Sequence, residues 1–133
     1  MINNGNIRKN EILLLTEKNC ETEDHCTKIL HTAGFIVDAA HTREDSLLKL
    51  SAAMTCEHSF NLVIADMDAP FTKDIFDMFN RINAQPHMAN KIIFIGNPRA
   101  HNVEKITSAT SVKMFLYKPV KALDLIAFVH TLI

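Results

Sequence analysis

Three of the short, entirely apolar stretches of the chain predict strands, and each of these three stops at a polar residue or a glycine. They cover residues 12–15, 62–65 and 92–95. A strand without a polar position is buried on both faces, which is typical of the central strands of a parallel sheet. The pattern therefore predicts three central strands, the second of which ends at Asp66.

Two further strands are predicted from stretches of mixed polarity. Residues 35–40 are apolar except for Asp38, and residues 114–117 end in Tyr117. A strand that is buried on both faces tolerates a carboxylate poorly, so both mixed strands are expected at the edges of the sheet. This placement gives the strand order 2-1-3-4-5, which is the order of a flavodoxin-like sheet.

Five segments with the apolar spacing of a helix alternate with these strands. Gly34 and Pro86 end the first and third of them, the sequence Thr42-x-x-Asp45 forms a capping box before the second, and Thr72 can cap the third. The apolar positions that mark the five helices are Cys26, Ile29, Leu30 and Ala33; Leu47, Leu50 and Met54; Ile75, Phe79 and Ile82; Val103 and Ile106; and Leu123, Ile126, Val129 and Ile133. The alternation predicts an α/β fold of the (βα)5 type, a parallel sheet wound on both sides.

The composition narrows the possible functions. The chain has 133 residues, a net charge of -1 and no basic stripe, so direct binding to nucleic acid is not expected. Its three cysteines have no framework spacing, which fits a reducing cytoplasm. Residues 1–9 form a polar leader without the features of a signal peptide, and residues 10–133 form a single domain. The apolar runs are too short to span a membrane.

The predicted sheet order brings several polar strand ends to one edge, where ligands bind in open α/β sheets. These ends are Thr16-Glu17, Asp66, Gly96-Asn97 and Lys118. Two carboxylates beside a lysine suit Mg²⁺ and a phosphoryl group, with Asp66 as a nucleophile and Lys118 paired with the phosphoryl oxygens. The structural alternatives are that Asp66 only starts a turn and that Lys118 is an ordinary surface lysine.

At these residues the chain resembles the receiver domain of two-component response regulators. The resemblance is carried by residues 12–17, 62–70 and 117–119, and it covers nearly all of residues 10–133. It implies a cytoplasmic signalling domain that accepts a phosphoryl group from a histidine kinase or a phosphotransfer protein. It implies no enzymatic activity beyond phosphorylation and dephosphorylation of the domain's own aspartate.

The resemblance also assigns roles by position. Asp66 matches the phosphoacceptor, and Lys118 matches the phosphate-pairing lysine, whose bond to the following proline is usually cis in this family. Glu17 matches the acid that binds Mg²⁺ directly, and the backbone carbonyl of Asp68 matches a further metal ligand. Phe115 matches the aromatic position that changes rotamer in the switch.

Two positions depart from the family pattern. Thr16 stands where the first acid of an adjacent pair is expected, and Gly96 stands where a serine or threonine would donate to the phosphoryl group. Asn97, one residue on, could offer an amide instead. We expect a weakened Mg²⁺ site and a weak switch. The alternative function is that of a pseudo-receiver, a protein-interaction module that works without phosphorylation.

The resemblance implies that a kinase or a phosphotransfer protein binds near the first helix and the loop that follows Asp66. An effector or a second copy of the chain would bind the fourth helix, fifth strand and fifth helix. A flavin protein with the same sheet order is disfavoured, because the loop after the first strand carries carboxylates that repel phosphate. A zinc site is also disfavoured, because no zinc signature matches the spacing of Cys20, His25, Cys26 and His31.

Overall fold

The computed structural model describes residues 10–54, 60–72, 91–97 and 114–133. In chain order the described elements are β1 (Glu11–Leu15), α1 (Glu21–Thr32), β2 (Ile36–Ala40), α2 (Arg43–Met54), β3 (Leu62–Asp66), β4 (Ile92–Gly96), β5 (Met114–Tyr117) and α3 (Ala122–Leu132). Helix α3 is the fifth helix predicted from the sequence. The predicted leader and the predicted third and fourth helices lie outside the described residues.

The five strands form one parallel sheet in the order β2-β1-β3-β4-β5. The predicted fold class and both predicted edge strands are therefore confirmed. In the register of the sheet, Leu15 lies beside Ala65, and Asp66 lies beside Ile95. The carboxyl ends of the central strands are consequently level with one another at one edge of the sheet.

The edge position of β2 explains how it accommodates Asp38. Lys49 of α2 donates from Nζ to Oδ1 of Asp38 at 2.8 Å and to the carbonyl oxygen of Ala39 at 3.1 Å. The Asp38 side chain is 36% exposed, so water also reaches the carboxylate. A central strand would offer neither the solvent nor the space for this ion pair.

The alternation of side chains along the central strands divides the core into two layers, one on each face of the sheet. The first layer contains Leu13, Leu15, Val63, Ala65 and Phe94, covered by Leu50 of α2. The second layer contains Ile12, Leu14, Ile64, Ile93 and Ile95, covered by Leu30 of α1 and by Leu125 and Val129 of α3. Burial on both faces is what the unbroken apolar runs predicted.

Helix α1 ends where the sequence predicts. The backbone N–H of Phe35 donates to the carbonyl of Leu30, and Gly34 has a φ of +94°. A side chain is strained in this left-handed conformation, so a glycine is favoured at this position. The chain then turns directly into β2, which pairs with β1.

The C-terminal helix is present, but two of the apolar positions that mark it in the sequence are exposed. Leu123 is 85% exposed and Ile133 is 44% exposed, whereas Leu125 and Val129 are fully buried. This helix has apolar residues on more than one face, so two apolar stripes are possible from the sequence alone. Packing against the second core layer selects the stripe that includes Leu125 and Val129. No described helix is long and apolar enough to cross a membrane.

We expect Leu30→Ala to lower the free energy of unfolding by about 2–5 kcal/mol, because it opens a cavity in the second core layer. Leu48→Ala is the matched control, since Leu48 is also a helical leucine but is 70% exposed. Its effect should stay within about 0.5 kcal/mol. Urea denaturation of both variants measures the difference, and equal losses would contradict the packing of α1.

The thiol of Cys26 should be unreactive in the folded protein. Burial, with the nearby charge of Asp66 as a smaller cause, raises the pKa of Cys26 to about 12. Because the thiolate is the reactive form, alkylation by iodoacetamide at pH 8 should be very slow until the protein unfolds. Peptide mass mapping after timed alkylation checks this. Labelling of Cys26 at equal rates with and without denaturant would contradict its burial.

Candidate functional site

The site is built around Asp66, the last residue of β3, which is only 3% exposed. The backbone holds this strand end in place, because the N–H of Met67 donates to the carbonyl of Ile95 at 2.8 Å. The carbonyl of Asp66 accepts from the hydroxyl of Thr72 at 2.7 Å. Thr72 is itself fully buried. The predicted capping role of Thr72 concerns a helix outside the described residues.

Three donors surround the Asp66 carboxylate. Oδ1 lies 3.0 Å from Nζ of Lys118 and accepts from the backbone N–H of Asp68 at 3.0 Å. Oδ2 accepts from the hydroxyl of Thr16 at 3.1 Å. Burial of a carboxylate without such partners would cost several kcal/mol, so these three donors offset the loss of water around Asp66.

Lys118 follows β5 and lies between two carboxylates. Its Nζ is 3.0 Å from Oδ1 of Asp66 and 2.9 Å from Oδ2 of Asp68. Its backbone N–H donates to the carbonyl of Gly96, which fixes the lysine beside the end of β4. The peptide bond between Lys118 and Pro119 is cis, as the resemblance implied.

The two carboxylates change the titration of this lysine. Burial of the ammonium acts to lower the pKa of Lys118, but hydrogen bonds to Asp68 and Asp66 outweigh burial and raise the pKa above 10.5. A lysine with a raised pKa in the folded state adds stability that is present below pH 10.5 and is lost as the pH rises through the folded-state pKa.

The structure brings Thr16, rather than Glu17, onto Asp66. Thr16 is fully buried, and its hydroxyl also lies 3.1 Å from Sγ of Cys20. Glu17, the next residue along, is exposed. In this arrangement a neutral hydroxyl takes the position where the resemblance expects an acid close to the phosphoacceptor.

The donor set suits Mg²⁺ in its chemistry. Glu17 and Asp66 supply carboxylate oxygens, and Asp68 supplies a backbone carbonyl, which are the hard ligands that Mg²⁺ prefers. The described residues contain no group of three or more His, Cys, Asp or Glu that could hold a metal. The ammonium of Lys118 already pairs with two of the carboxylates at this edge.

The predicted switch positions are the last residue of β4, the residue after it and one residue of β5. Gly96 is buried at the end of β4 and offers no side-chain donor. The backbone N–H of Asn97 donates to the carboxylate of Asp68, at 3.2 Å to Oδ2. Phe115 is partly buried against the first core layer, with ring centroids 6.5 Å from Phe94 and 5.5 Å from Tyr117.

Sequence reasoning missed the side-chain role of Asp68 and assigned only its backbone carbonyl. In the structure its carboxylate joins the ends of β4 and β5 through Asn97 and Lys118. One signal was available. The side chain of an aspartate often accepts a hydrogen bond from the backbone N–H two residues further along the chain, as Asp66 does from Asp68. Such a turn fixes the position of Asp68 relative to Asp66.

An open cleft of about 590 Å³ lies beside these residues. Its lining includes Asp68, Asn97 and Lys118 together with Glu21 and His25 of α1. Nε2 of His25 is 2.6 Å from the carbonyl of Val120, so α1 is tied to the segment after β5. The charged cluster consequently borders an open cleft.

Comparisons with known proteins were made at the level of sequence and of structure. No protein-family model and no curated protein sequence matches this chain. Structural similarity is extensive. The receiver domain of the sensor histidine kinase PA1611 from Pseudomonas aeruginosa, solved with magnesium in its active-site cleft, has a TM-score of 0.72 at 18% identity, covering 94% of this chain and 98% of that one.

Two further solved structures agree with this similarity. A response regulator receiver protein from Burkholderia phymatum has a TM-score of 0.72 at 20% identity, covering 92% of this chain and 94% of that one. The chemotaxis response regulator CheY4 of Vibrio cholerae has a TM-score of 0.67 at 17% identity, covering 92% and 98%. The chain therefore has the flavodoxin-like fold of response-regulator receiver domains.

Proposed function

We propose that this chain is a signal-transduction receiver domain that accepts a phosphoryl group on Asp66 and relays it by a conformational change. The observation that carries this proposal is the position of the Asp66 carboxylate. It lies at the carboxyl end of a central strand, almost fully buried, with its Oδ1 3.0 Å from the Lys118 ammonium. In a receiver domain, a buried aspartate paired with a lysine in this way accepts the phosphoryl group, and the lysine pairs with it.

The proposed donor is a phosphohistidine on a histidine kinase or a phosphotransfer protein. A carboxylate oxygen of Asp66 attacks phosphorus, the phosphorus–nitrogen bond breaks, and the imidazole leaves with the electron pair. The product is an acyl phosphate on Asp66. Lys118 pairs with the phosphoryl oxygens and compensates their charge, and no other substrate is involved.

Mg²⁺ is the proposed cofactor, held by the carboxylates of Glu17 and Asp66 and by the backbone carbonyl of Asp68. When bound, it screens the charge of the carboxylate from the charge of the incoming phosphoryl group. Thr16 lowers the expected affinity, because loss of an outer partner at a metal site typically weakens binding about 10 to 100-fold.

The proposed relay is weak. Gly96 has no hydroxyl to donate to a phosphoryl group, and a charge-assisted bond of this kind contributes about 1.5–3 kcal/mol. Without this bond, phosphorylation shifts the conformational equilibrium of the loop after β4 and of Phe115 less. The reason is that a ligand shifts an equilibrium between two conformations only by the difference in its affinity for them. Asn97 supplies a backbone amide at the same loop.

The second candidate is a pseudo-receiver that binds partners without phosphorylation. The hydrogen bond from Thr16 to Asp66 favours it, because a neutral donor occupies one carboxylate oxygen of the acceptor.

In both proposals the protein is cytoplasmic and binds neither nucleic acid nor membrane. In both, an effector or a second copy binds through the predicted fourth helix, β5 and α3, where Tyr117 and Leu123 are exposed.

An NMR titration tests the acceptor site directly. Mg²⁺ and then beryllofluoride, a phosphoryl mimic, are added to the wild type, to Asp66→Asn and to the control Asp45→Asn. We expect amide shifts at Glu17, Asp66 and Lys118 in the wild type and in the control. These shifts should be lost in Asp66→Asn, which keeps the shape of the side chain but removes its charge.

The extent of the shifts measures the relay, and their absence separates the two candidates. Shifts that reach Phe115 would support a coupled switch, whereas shifts confined to the strand ends would indicate an acceptor with a weak relay. A wild type that does not respond at millimolar Mg²⁺ and saturating beryllofluoride would contradict the acceptor proposal and favour the pseudo-receiver.

Thr16→Asp should tighten Mg²⁺ binding by about 10 to 100-fold, because it supplies the missing acid next to Asp66. Thr42→Asp is the matched control. It adds the same charge at an exposed threonine whose capping bond to the N–H of Asp45 an aspartate can replace. Calorimetric Mg²⁺ titration compares the variants, and equal affinities would contradict the assigned role of position 16.

A further inference from the structure

We propose that the carboxylate of Asp68 is a built-in anion that occupies the oxyanion site of this domain and must be displaced before a phosphoryl group can bind there. The site consists of the Lys118 ammonium and the backbone N–H of Asn97. The displacement of Asp68 by a phosphoryl group rests on the proposed function. The occupation of the site by the Asp68 carboxylate depends only on the geometry of Asp68.

The contacts of Asp68 are those of a bound anion. Its Oδ2 lies 2.9 Å from Nζ of Lys118 and accepts from the N–H of Asn97 at 3.2 Å. The two donors come from the ends of different strands, β5 and β4. One carboxylate oxygen therefore receives a cation and a backbone amide at once, which is the pattern by which proteins bind phosphate oxygens.

The same two donors are the ones that a phosphoryl group on Asp66 would need. Lys118 contacts Asp66 and Asp68 together, at 3.0 and 2.9 Å. Gly96 contributes no hydroxyl, so the amide of Asn97 has more weight in this chain than it would have beside a serine or threonine. A phosphoryl group and the Asp68 carboxylate thus compete for one lysine and one amide.

Asp68 is able to leave. Its side chain is 29% exposed and borders the open cleft, whereas Asp66 is only 3% exposed. A phosphoryl oxygen near Lys118 would also repel the Asp68 carboxylate, because like charges at hydrogen-bond distance are strongly unfavourable. Displacement of Asp68 into solvent is the step that admits the anion.

Inorganic phosphate is a probe that tests the anion site without requiring a reaction at Asp66. We compare its affinity for the wild type, Asp68→Asn and Asp68→Ala, using the amide shift of Asn97 in the full chain. Removal of the competing carboxylate should tighten phosphate binding by about tenfold, as expected for loss of one charge-assisted hydrogen bond. Asp68→Ala excludes an effect of the new amide donor in Asp68→Asn.

Asp45→Asn is the matched control, because Asp45 also pairs with a lysine, Lys49 at 3.4 Å, and its removal changes the net charge equally. It should bind phosphate as the wild type does. The gain in Asp68→Asn should disappear when Lys118→Met is added, which locates the phosphate at the lysine. Before any phosphate is present, both Asp68 variants should already move the Asn97 amide resonance.

Equal phosphate affinities for the wild type and both Asp68 variants would overturn the inference, as would an Asn97 resonance that does not respond to either substitution. The beryllofluoride titration keeps the two proposals apart. If phosphate affinity rises in the Asp68 variants while beryllofluoride binds none of the proteins, the built-in anion stands and the phosphoacceptor fails. If beryllofluoride binds and phosphate affinity is unchanged, the phosphoacceptor stands and the built-in anion fails.

Discussion

The structure depends on providing hydrogen-bond and ion-pair partners for one carboxylate that is buried at the end of a central strand. Asp66 ends a strand that is buried on both faces, and it is 3% exposed. A charge in this position is tolerated only when donors replace the lost water. The parallel sheet supplies them, because its order places the ends of β1 and β5 on either side of β3 and β4. Thr16 and Lys118 reach Asp66 from those ends.

The same arrangement sets how the site responds to anions and cations. Lys118 pairs with Asp66 and Asp68 together, so its single positive charge is already shared between two carboxylates before a ligand arrives. An incoming metal must compete with an ammonium, and an incoming phosphoryl group must compete with a carboxylate. Under the proposed function, Thr16 and Gly96 lack the acid and the hydroxyl that would favour these incoming groups, and weak binding of both groups is part of that proposal.

Much of the fold could be predicted from the sequence, because burial leaves a strong pattern. The unbroken runs at residues 12–15, 62–65 and 92–95 identified the central strands, and Asp38 identified an edge. The clustering of the polar residues at the strand ends also followed from the sequence, since parallel strands present their carboxyl ends at the same edge of the sheet. The sequence therefore determined the sheet order and predicted that Asp66 and Lys118 would meet.

Only the tertiary structure decided which atoms meet. Leu123 and Leu125 are equally apolar, and packing against the sheet selected Leu125 for the core. Thr16 and Glu17 are adjacent, and the turn after β1 directed the threonine inward and left the acid exposed. The turn that begins at Asp66 was a signal for the position of Asp68, but the partners of its carboxylate, Asn97 and Lys118, lie far along the chain. Local periodicity records burial, whereas the direction of a side chain after a strand end depends on loops and neighbours that are distant in sequence.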